Sequence, residues 1–229
     1  MKKIILFTIL LWGSFGAYSQ RSLDFGFFGG GSYYQGDLNT SKLFYQMNFS
    51  GGVFVRHNLN KRWAVRGNLY AGKLSANDKD FKNNYQQLRN FEFSTMFYEL
   101  SGQMEFNFLP YLIGNNKTPF TPYIAFGLGG VLVPDATKPM QIIIPMSFGF
   151  KFNLNKDIGL GIAWSYRKTF TDGIDRVTNY GSLPEFTDQN TVYNKQLGYR
   201  NDKDWYSIIG VFLTFKIFPK RGKCHTYSY

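Results

Sequence analysis

The stretch IGLGIAWSYRKTF, residues 158–170, decides the fold. Bulky residues alternate with small ones and then an arginine: the even row is Ile158, Leu160, Ile162, Trp164 and Tyr166, and the odd row is Gly159, Gly161, Ala163, Ser165 and Arg167. Side chains alternate between the two faces of a β-strand, so this pattern predicts a strand with one apolar face and one small face. A face in contact with water usually carries longer polar side chains, whereas Gly, Ala and Ser fit a crowded inner surface. We therefore expect the apolar face to point outward.

The N-terminus indicates export. Two lysines precede a short apolar segment, residues 4–12, and Ala17-Tyr18-Ser19 matches a signal-peptidase cleavage site. The apolar segment is much shorter than the roughly 20 residues that a membrane-spanning helix needs. The sequence therefore predicts a cleaved signal peptide over residues 1–19.

Composition restricts the class of protein further. Aromatic residues make up 19% of the chain, and 24 glycines accompany them, which favours many β-strands with outward aromatic side chains. The formal net charge is +11. A basic chain is compatible with nucleic acid or anionic surfaces as partners, and the export signal argues against nucleic acid.

The same two-residue period predicts eight strands along the mature chain, near residues 22–36, 45–58, 62–76, 92–108, 120–133, 141–153, 158–170 and 204–218. The central part of one row in each is apolar and uncharged, as in Met96, Tyr98, Leu100, Met104 and Phe106 of the fourth strand. A Lys or Arg on a lipid-facing row costs about 2–4 kcal/mol at mid-membrane, so uncharged rows are typical of a membrane barrel. We predict an all-β fold, an eight-stranded antiparallel transmembrane β-barrel.

The opposite rows carry charges of both signs. An unpaired buried charge costs several kcal/mol, so we expect a carboxylate–guanidinium network inside the barrel. Its predicted members are Arg56, Arg66, Glu99, Glu105 and Arg167. Because side chains fill an eight-stranded lumen, the pattern does not indicate a pore.

Short and long connections alternate along the chain. Asn60-Lys61 and Asn155-Lys156-Asp157 are tight turns and residues 109–119 form a somewhat longer link, whereas residues 171–203 form the longest of the other connections. Outer-membrane barrels place short turns in the periplasm and long loops outside. We predict a bacterial outer-membrane location with both termini periplasmic, a barrel over residues 20–218 and a basic periplasmic tail over residues 219–229.

The main alternative architecture is a soluble eight-stranded carrier that is apolar inside and polar outside. Such a carrier needs an inner face roomy enough for a ligand. The small residues of the fifth to seventh strands, among them Gly127, Gly149 and Gly161, argue against it.

Catalytic and metal-binding patterns are weak. The two histidines, His57 near a turn and His225 in the tail, do not match a serine hydrolase at the outer end of a barrel. One cysteine and two distant histidines do not match a zinc site, and the carboxylates of the last loop lack calcium-loop spacing. The sequence predicts a protein that is not an enzyme and that holds no cofactor or metal.

Two other features have open interpretations. Cys224, the only cysteine, lies in a basic tail with Lys220, Arg221 and Lys223, and is either a free thiol or half of an intermolecular disulfide with a periplasmic partner. The long loop 171–203 either binds something outside the cell or is simply a solvated connection.

Three motifs resemble one family. Tyr33-Tyr34-Gln35-Gly36-Asp37-Leu38-Asn39, Tyr166-Arg167-Lys168-Thr169-Phe170-Thr171-Asp172 and Asp204-Trp205-Tyr206 stand at the outer ends of predicted strands. With the signal and the cysteine-bearing tail, they resemble the PorG-like outer-membrane barrels of Bacteroidota. The chain departs from that family where Gly173-Ile174-Asp175-Arg176 follows the second motif.

The resemblance implies a function and partners. It implies an accessory component of the type IX secretion and gliding machinery, which sits among outer-membrane lipids and anchors a periplasmic ring built from a lipoprotein and a partner subunit. The basic tail residues and Cys224 would then hold the ring. The family also contains barrels without an assigned role, so the alternative is a general surface barrel that binds a ligand or stabilises the envelope.

Overall fold

A computed structural model describes residues 22–36, 38–39, 42–82, 86, 92–115, 117–136, 138–170, 174 and 204–217. Its strands are β1 (Ser22–Gln35), β2 (Asn48–Asn58), β3 (Trp63–Asn77), β4 (Glu92–Asn107), β5 (Phe120–Leu132), β6 (Met140–Asn153), β7 (Ile158–Thr169) and β8 (Trp205–Ile217). A short 3-10 helix, Asp78–Asp80, follows β3. No helix within the described ranges has the length and apolar content to cross a membrane.

The strands form a closed barrel in which each pairs antiparallel with its neighbours in sequence, and β8 pairs with β1. The predicted fold class and the eight predicted strands are confirmed. The largest difference in a boundary is the start of β2, at Asn48 instead of residue 45. Phe44 and Gln46 have positive φ angles of 59° and 43°, so the chain turns there before the strand begins.

The barrel has two distinct ends. The turn end contains the connections 59–62, 108–119 and 154–157, together with the first residue of β1 and the last residue of β8. The loop end contains the connections 36–47, 78–91, 133–139 and 170–204.

The apolar rows point outward. Phe49 is 80% exposed, Leu100 68% and Ile142 66%, as expected for side chains that face the outside of the barrel. The small row of β7 points inward, since Ala163 and Arg167 are buried. The polarity inferred from residues 158–170 is therefore confirmed.

Inward glycines make room for rings on the adjacent strand. The cross-strand pairs are Gly26 with Phe54, Gly52 with Tyr70, Gly72 with Phe97, and Gly161 with Phe212. A Cβ on Gly161 would lie 2.1 Å from Cζ of Phe212, which the packing of the lumen does not allow. The odd row of β7 is small because the rings of neighbouring strands fill the centre.

Arg62 and Tyr33 differ from the row to which their position assigns them. Arg62 belongs to the predicted inward row, but it lies in the turn before β3 and is exposed. Tyr33 belongs to the outward row of β1, yet it is buried, because Phe44 packs on its ring and Trp164 Nε1 donates a hydrogen bond of 3.1 Å to its hydroxyl.

Candidate functional site: the lumen and the two ends of the barrel

Glu105 on β4 is the centre of an ion group near the turn end. Its carboxylate accepts from Arg56 Nε at 2.7 Å, from Arg66 Nη1 at 2.8 Å and from Lys151 Nζ at 2.6 Å. All four side chains are at most 3% exposed. Asn107 accepts a further hydrogen bond from Lys151 at 2.9 Å. One carboxylate therefore balances cations from β2, β3 and β6.

Glu99, three inward positions along β4 towards the loop end, forms a second ion group. Arg167 Nε on β7 donates to Glu99 Oε2 at 2.9 Å, and the Tyr206 hydroxyl donates to the same oxygen at 2.9 Å. Ser101 Oγ donates to Oε1 at 2.9 Å. This pairing joins strands on opposite walls across the lumen.

Polar side chains connect the two ion groups. Arg66 and Asn68 both donate to Gln103 Oε1, and Gln103 Nε2 donates to Ser147 Oγ at 3.0 Å. Ser147 in turn shares a hydrogen bond with Ser165. The interior of the barrel is thus a continuous polar network and contains all five residues that the sequence assigned to it. Lys151, an inward residue of β6 that was not among those five, joins the first group.

The β4–β5 connection closes the turn end. Tyr111 and Ile113 are buried against the inward row of β7, where a Cβ on Gly159 would lie 3.1 Å from the Tyr111 hydroxyl. The link is fixed to its surroundings by hydrogen bonds: Tyr111 N donates to Lys61 O at 2.8 Å, and Asn153 Nδ2 donates to Leu112 O at 3.2 Å. Burial raises the pKa of the Tyr111 hydroxyl, which lies outside the membrane-spanning strands.

Apolar residues close the loop end. Leu38, Val133 and Ile174 come from three different connections and are fully buried in a cluster with Phe93 and Phe97. Asp204, at the start of β8, accepts from the Ile174 backbone N–H at 2.8 Å and from the hydroxyl of Tyr34. The described barrel is therefore filled along its length and covered at both ends, so chemistry or binding is to be sought on its outer surfaces.

The turn end carries an excess of positive charge. Its exposed charged side chains in the described ranges are Lys61, Arg62, Lys117, Lys156 and Asp157. Aromatic side chains of β3 to β6 lie at this end, with Trp63 packed on Phe106 at 4.8 Å and Phe120 stacked on Phe152 at 6.5 Å between ring centroids. Aromatic residues at strand ends are typical of a membrane interface.

Several residues singled out in the sequence lie outside the described residues. They include the signal segment 1–19, Asp37, Cys224, Lys220, Arg221, Lys223 and all of loop 171–203 except Ile174. No three His, Cys, Asp or Glu side chains come together as a metal site in the described part of the chain. His57 is among the described residues and lies in the outward row of β2 near the turn end.

Residues 2–226 match a family model described as "Domain of unknown function (DUF6089)". The chain belongs to the DUF6089 family. No curated protein sequence shows significant similarity to this DUF6089 chain.

Solved structures of low sequence identity align with the DUF6089 barrel. Neisserial surface protein A aligns at 10% identity and a TM-score of 0.48, over 87% of this chain and 98% of that one. Ail of Yersinia pestis, crystallised with the heparin analogue sucrose octasulfate, aligns at 10% identity and a TM-score of 0.44, over 86% and 100%. The outer membrane protein OprG of Pseudomonas aeruginosa aligns at 13% identity and a TM-score of 0.46, over 85% and 97%.

The polarity of the DUF6089 barrel places it in a membrane. In lipid, every backbone polar group needs an internal partner, and a closed antiparallel barrel provides one without leaving a strand edge. An apolar outer wall around a polar, filled lumen is the arrangement of small outer-membrane barrels. The chain is therefore an outer-membrane β-barrel.

Proposed function

We propose that this barrel is an accessory component of the type IX secretion and gliding machinery, which anchors a periplasmic ring to the outer membrane. In this proposal the turn end faces the periplasm, and the partners are the ring lipoprotein and its partner subunit. The three motifs at predicted outer strand ends provide the family resemblance. The single structural observation that supports an anchoring role is the closed, cationic turn end.

The geometry of the turn end suits an anchor better than a channel. Polar networks fill the lumen, and Tyr111 and Ile113 cover it, so no open path leads through the described barrel. β8 ends at Ile217 on this end, next to the β6–β7 turn, where Lys216 N donates to Asp157 O at 2.9 Å. The tail 219–229 lies outside the described residues, and its basic residues would add to the positive charge that this end offers an acidic partner.

The partner assignment can be tested by purification from native outer membranes. Mild-detergent pull-down of the full chain, under non-reducing conditions and with mass-spectrometric identification, is expected to recover the ring subunits. Deletion of residues 219–229 is expected to release them while the barrel keeps its heat-modifiable mobility in electrophoresis. Cys224→Ser distinguishes the two states of the thiol: loss of a high-mass species on non-reducing gels shows a disulfide, and an unchanged pattern shows a free thiol.

The same experiment distinguishes the proposed function from the alternative. A general surface barrel would keep its activity without the tail and would depend on loop 171–203. Ring subunits that still co-purify after deletion of residues 219–229 would therefore contradict anchoring by the tail. If the full chain recovers no ring subunit at all, the secretion assignment itself is wrong.

A further inference from the structure

An apolar groove lies on the outer wall near the turn end, across β3, β4 and β5. Its volume is about 400 Å³. The lining residues are all apolar: Trp63, Met104, Phe106, Ile124, Ala125 and Phe126. Trp63, Phe106 and Ile124 are cross-strand partners, so they form one row directly above the turn 59–62. The groove therefore begins where the membrane-spanning wall begins.

The wall stays open above the groove. Gly67 and Gly102 are cross-strand partners in the outward rows, and a Cβ built on either would meet no atom within 4 Å. From the row of Trp63 to the row of Gly67 is four residues, or about 13 Å along the strand at roughly 3.3 Å per residue. A depression of this shape on a lipid-facing wall suits an acyl chain that lies along the strands.

Arg62 lies at the lower mouth of the groove. Its Nη1 donates to the carbonyl oxygen of Phe108 at 2.8 Å, and the Phe108 ring packs at 5.4 Å on the ring of Phe106, which lines the groove. A guanidinium has five N–H donors. In the described part of the chain, the Arg62 side chain makes one hydrogen bond, the one to the Phe108 carbonyl oxygen. The neighbouring Lys61 is also exposed. The arginine is thus held by one hydrogen bond while the rest of its side chain stays exposed.

We propose that this groove and the Lys61-Arg62 pair form a binding site for one phospholipid with an anionic headgroup. The acyl chain packs on the row of Trp63, Phe106 and Ile124 and continues along the strands towards Gly67 and Gly102. The headgroup phosphate accepts hydrogen bonds from Arg62. The charge of the turn end favours an anion, since its only exposed acid in the described ranges, Asp157, lies in the β6–β7 turn. The choice of a phospholipid over lipid A rests on the proposed periplasmic orientation of the turn end. It does not depend on the secretion ring.

The test uses the purified full-length mature barrel without other subunits. Native mass spectrometry from detergent micelles is carried out with added phosphatidylglycerol, phosphatidylethanolamine or lipid A. We expect one phosphatidylglycerol to be retained preferentially, and we expect Arg62→Gln to weaken its retention by about tenfold, because a charge-assisted contact to phosphate is lost. Lys156→Gln is the matched control: it removes the same charge from the same end, in the β6–β7 turn outside the groove, and should leave retention unchanged.

A second pair of variants tests the groove itself. Ile124→Trp fills it and should weaken phosphatidylglycerol retention to a similar extent, whereas Ile142→Trp, at an equally outward position on β6, should not. The proposal is overturned by any of three results: equal retention of the two phospholipids, preferential retention of lipid A, or equal effects of Arg62→Gln and Lys156→Gln. Because no ring subunit takes part, failure here is distinguishable from failure of the proposed function.

Discussion

Glu105 offers the most direct test of the lumen. Its carboxylate contacts Arg56, Arg66 and Lys151 at 2.6–2.8 Å, and it is fully buried. We expect Glu105→Gln to destabilise the barrel strongly. The amide has almost the same volume as the carboxylate, so the change removes charge and leaves the packing in place.

The expected magnitude follows from the number of cations. Removing one partner of a buried ion pair costs about 3–5 kcal/mol, because the other charge remains buried without compensation. Glu105→Gln leaves three such cations, so we expect a loss of about 5 kcal/mol or more. Glu99→Gln leaves only Arg167, which also donates to the carbonyl oxygen of Ser165 at 2.8 Å, so a loss of about 3 kcal/mol is expected.

The measurement is urea unfolding of the mature barrel in phosphatidylcholine vesicles, followed by tryptophan fluorescence and by heat-modifiable electrophoretic mobility. Glu92→Gln provides the matched control, since this glutamate lies on the same strand but is exposed at the loop end. It should change the free energy of unfolding by less than about 0.5 kcal/mol. If Glu105→Gln also stays within about 1 kcal/mol of the native barrel, the lumen is solvated and the argument from buried ion pairs is wrong.

Three further predictions use the same unfolding assay or a simple titration. Gly161→Val should cost about 1–3 kcal/mol through overpacking, whereas Gly102→Ala, on the open outer wall, should cost less than about 0.5 kcal/mol; equal effects would show that inward packing does not restrict Gly161. Arg167→Glu should cost at least about 3–5 kcal/mol, and Arg167→Met combined with Glu99→Gln should recover most of that loss; a double variant as unstable as the charge reversal would contradict the pairing. Partial burial and a hydrogen bond to a carboxylate raise the pKa of Tyr45 at the loop end, so its stabilising contribution is complete below about pH 10 and is lost as the pH rises through the raised pKa. Tyr45→Phe should remove a tyrosinate absorbance step that lies above pH 10. If the step that disappears is instead centred at about pH 10, the ordinary pKa of tyrosine, the pKa of Tyr45 is not raised and the prediction is wrong.

The strands and their two faces could be predicted because the period of two is imposed by the backbone itself. In β7 the alternation of Trp164 and Tyr166 with Ala163, Ser165 and Arg167 leaves one consistent orientation in a closed barrel. Which inward charges pair could not be read in the same way. Lys151 on β6 reaches Glu105 on β4 across the intervening strand, and that distance depends on the stagger of the closed barrel.

The closure of the turn end could not be predicted from periodicity, because it depends on an irregular segment. The link 108–119 looks like a somewhat long turn, with Pro110 and Gly114 as its recognisable turn residues. Gly114 has a φ of 84°, and a Cβ there would lie 2.4 Å from Lys156 O, so the chain needs glycine at that close approach. The burial of Tyr111 and Ile113 is a tertiary contact without a local signal.

The filled lumen restricts where this barrel can act. A network such as Arg66–Gln103–Ser147 is stable only while each member keeps its partners, so transport through the centre would require several buried hydrogen bonds to break together. The two ends differ in charge: the turn end is cationic, whereas exposed acids and bases such as Asp80 and Lys79 are mixed at the loop end. A partner with an anionic surface would therefore distinguish one end from the other, and the closed turn end provides a rigid face for it. The lipid groove lies on the side wall, and its headgroup would occupy Lys61 and Arg62 at one edge of the turn end. Lys117 and Lys156 stay available to a periplasmic partner, so both could be accommodated together.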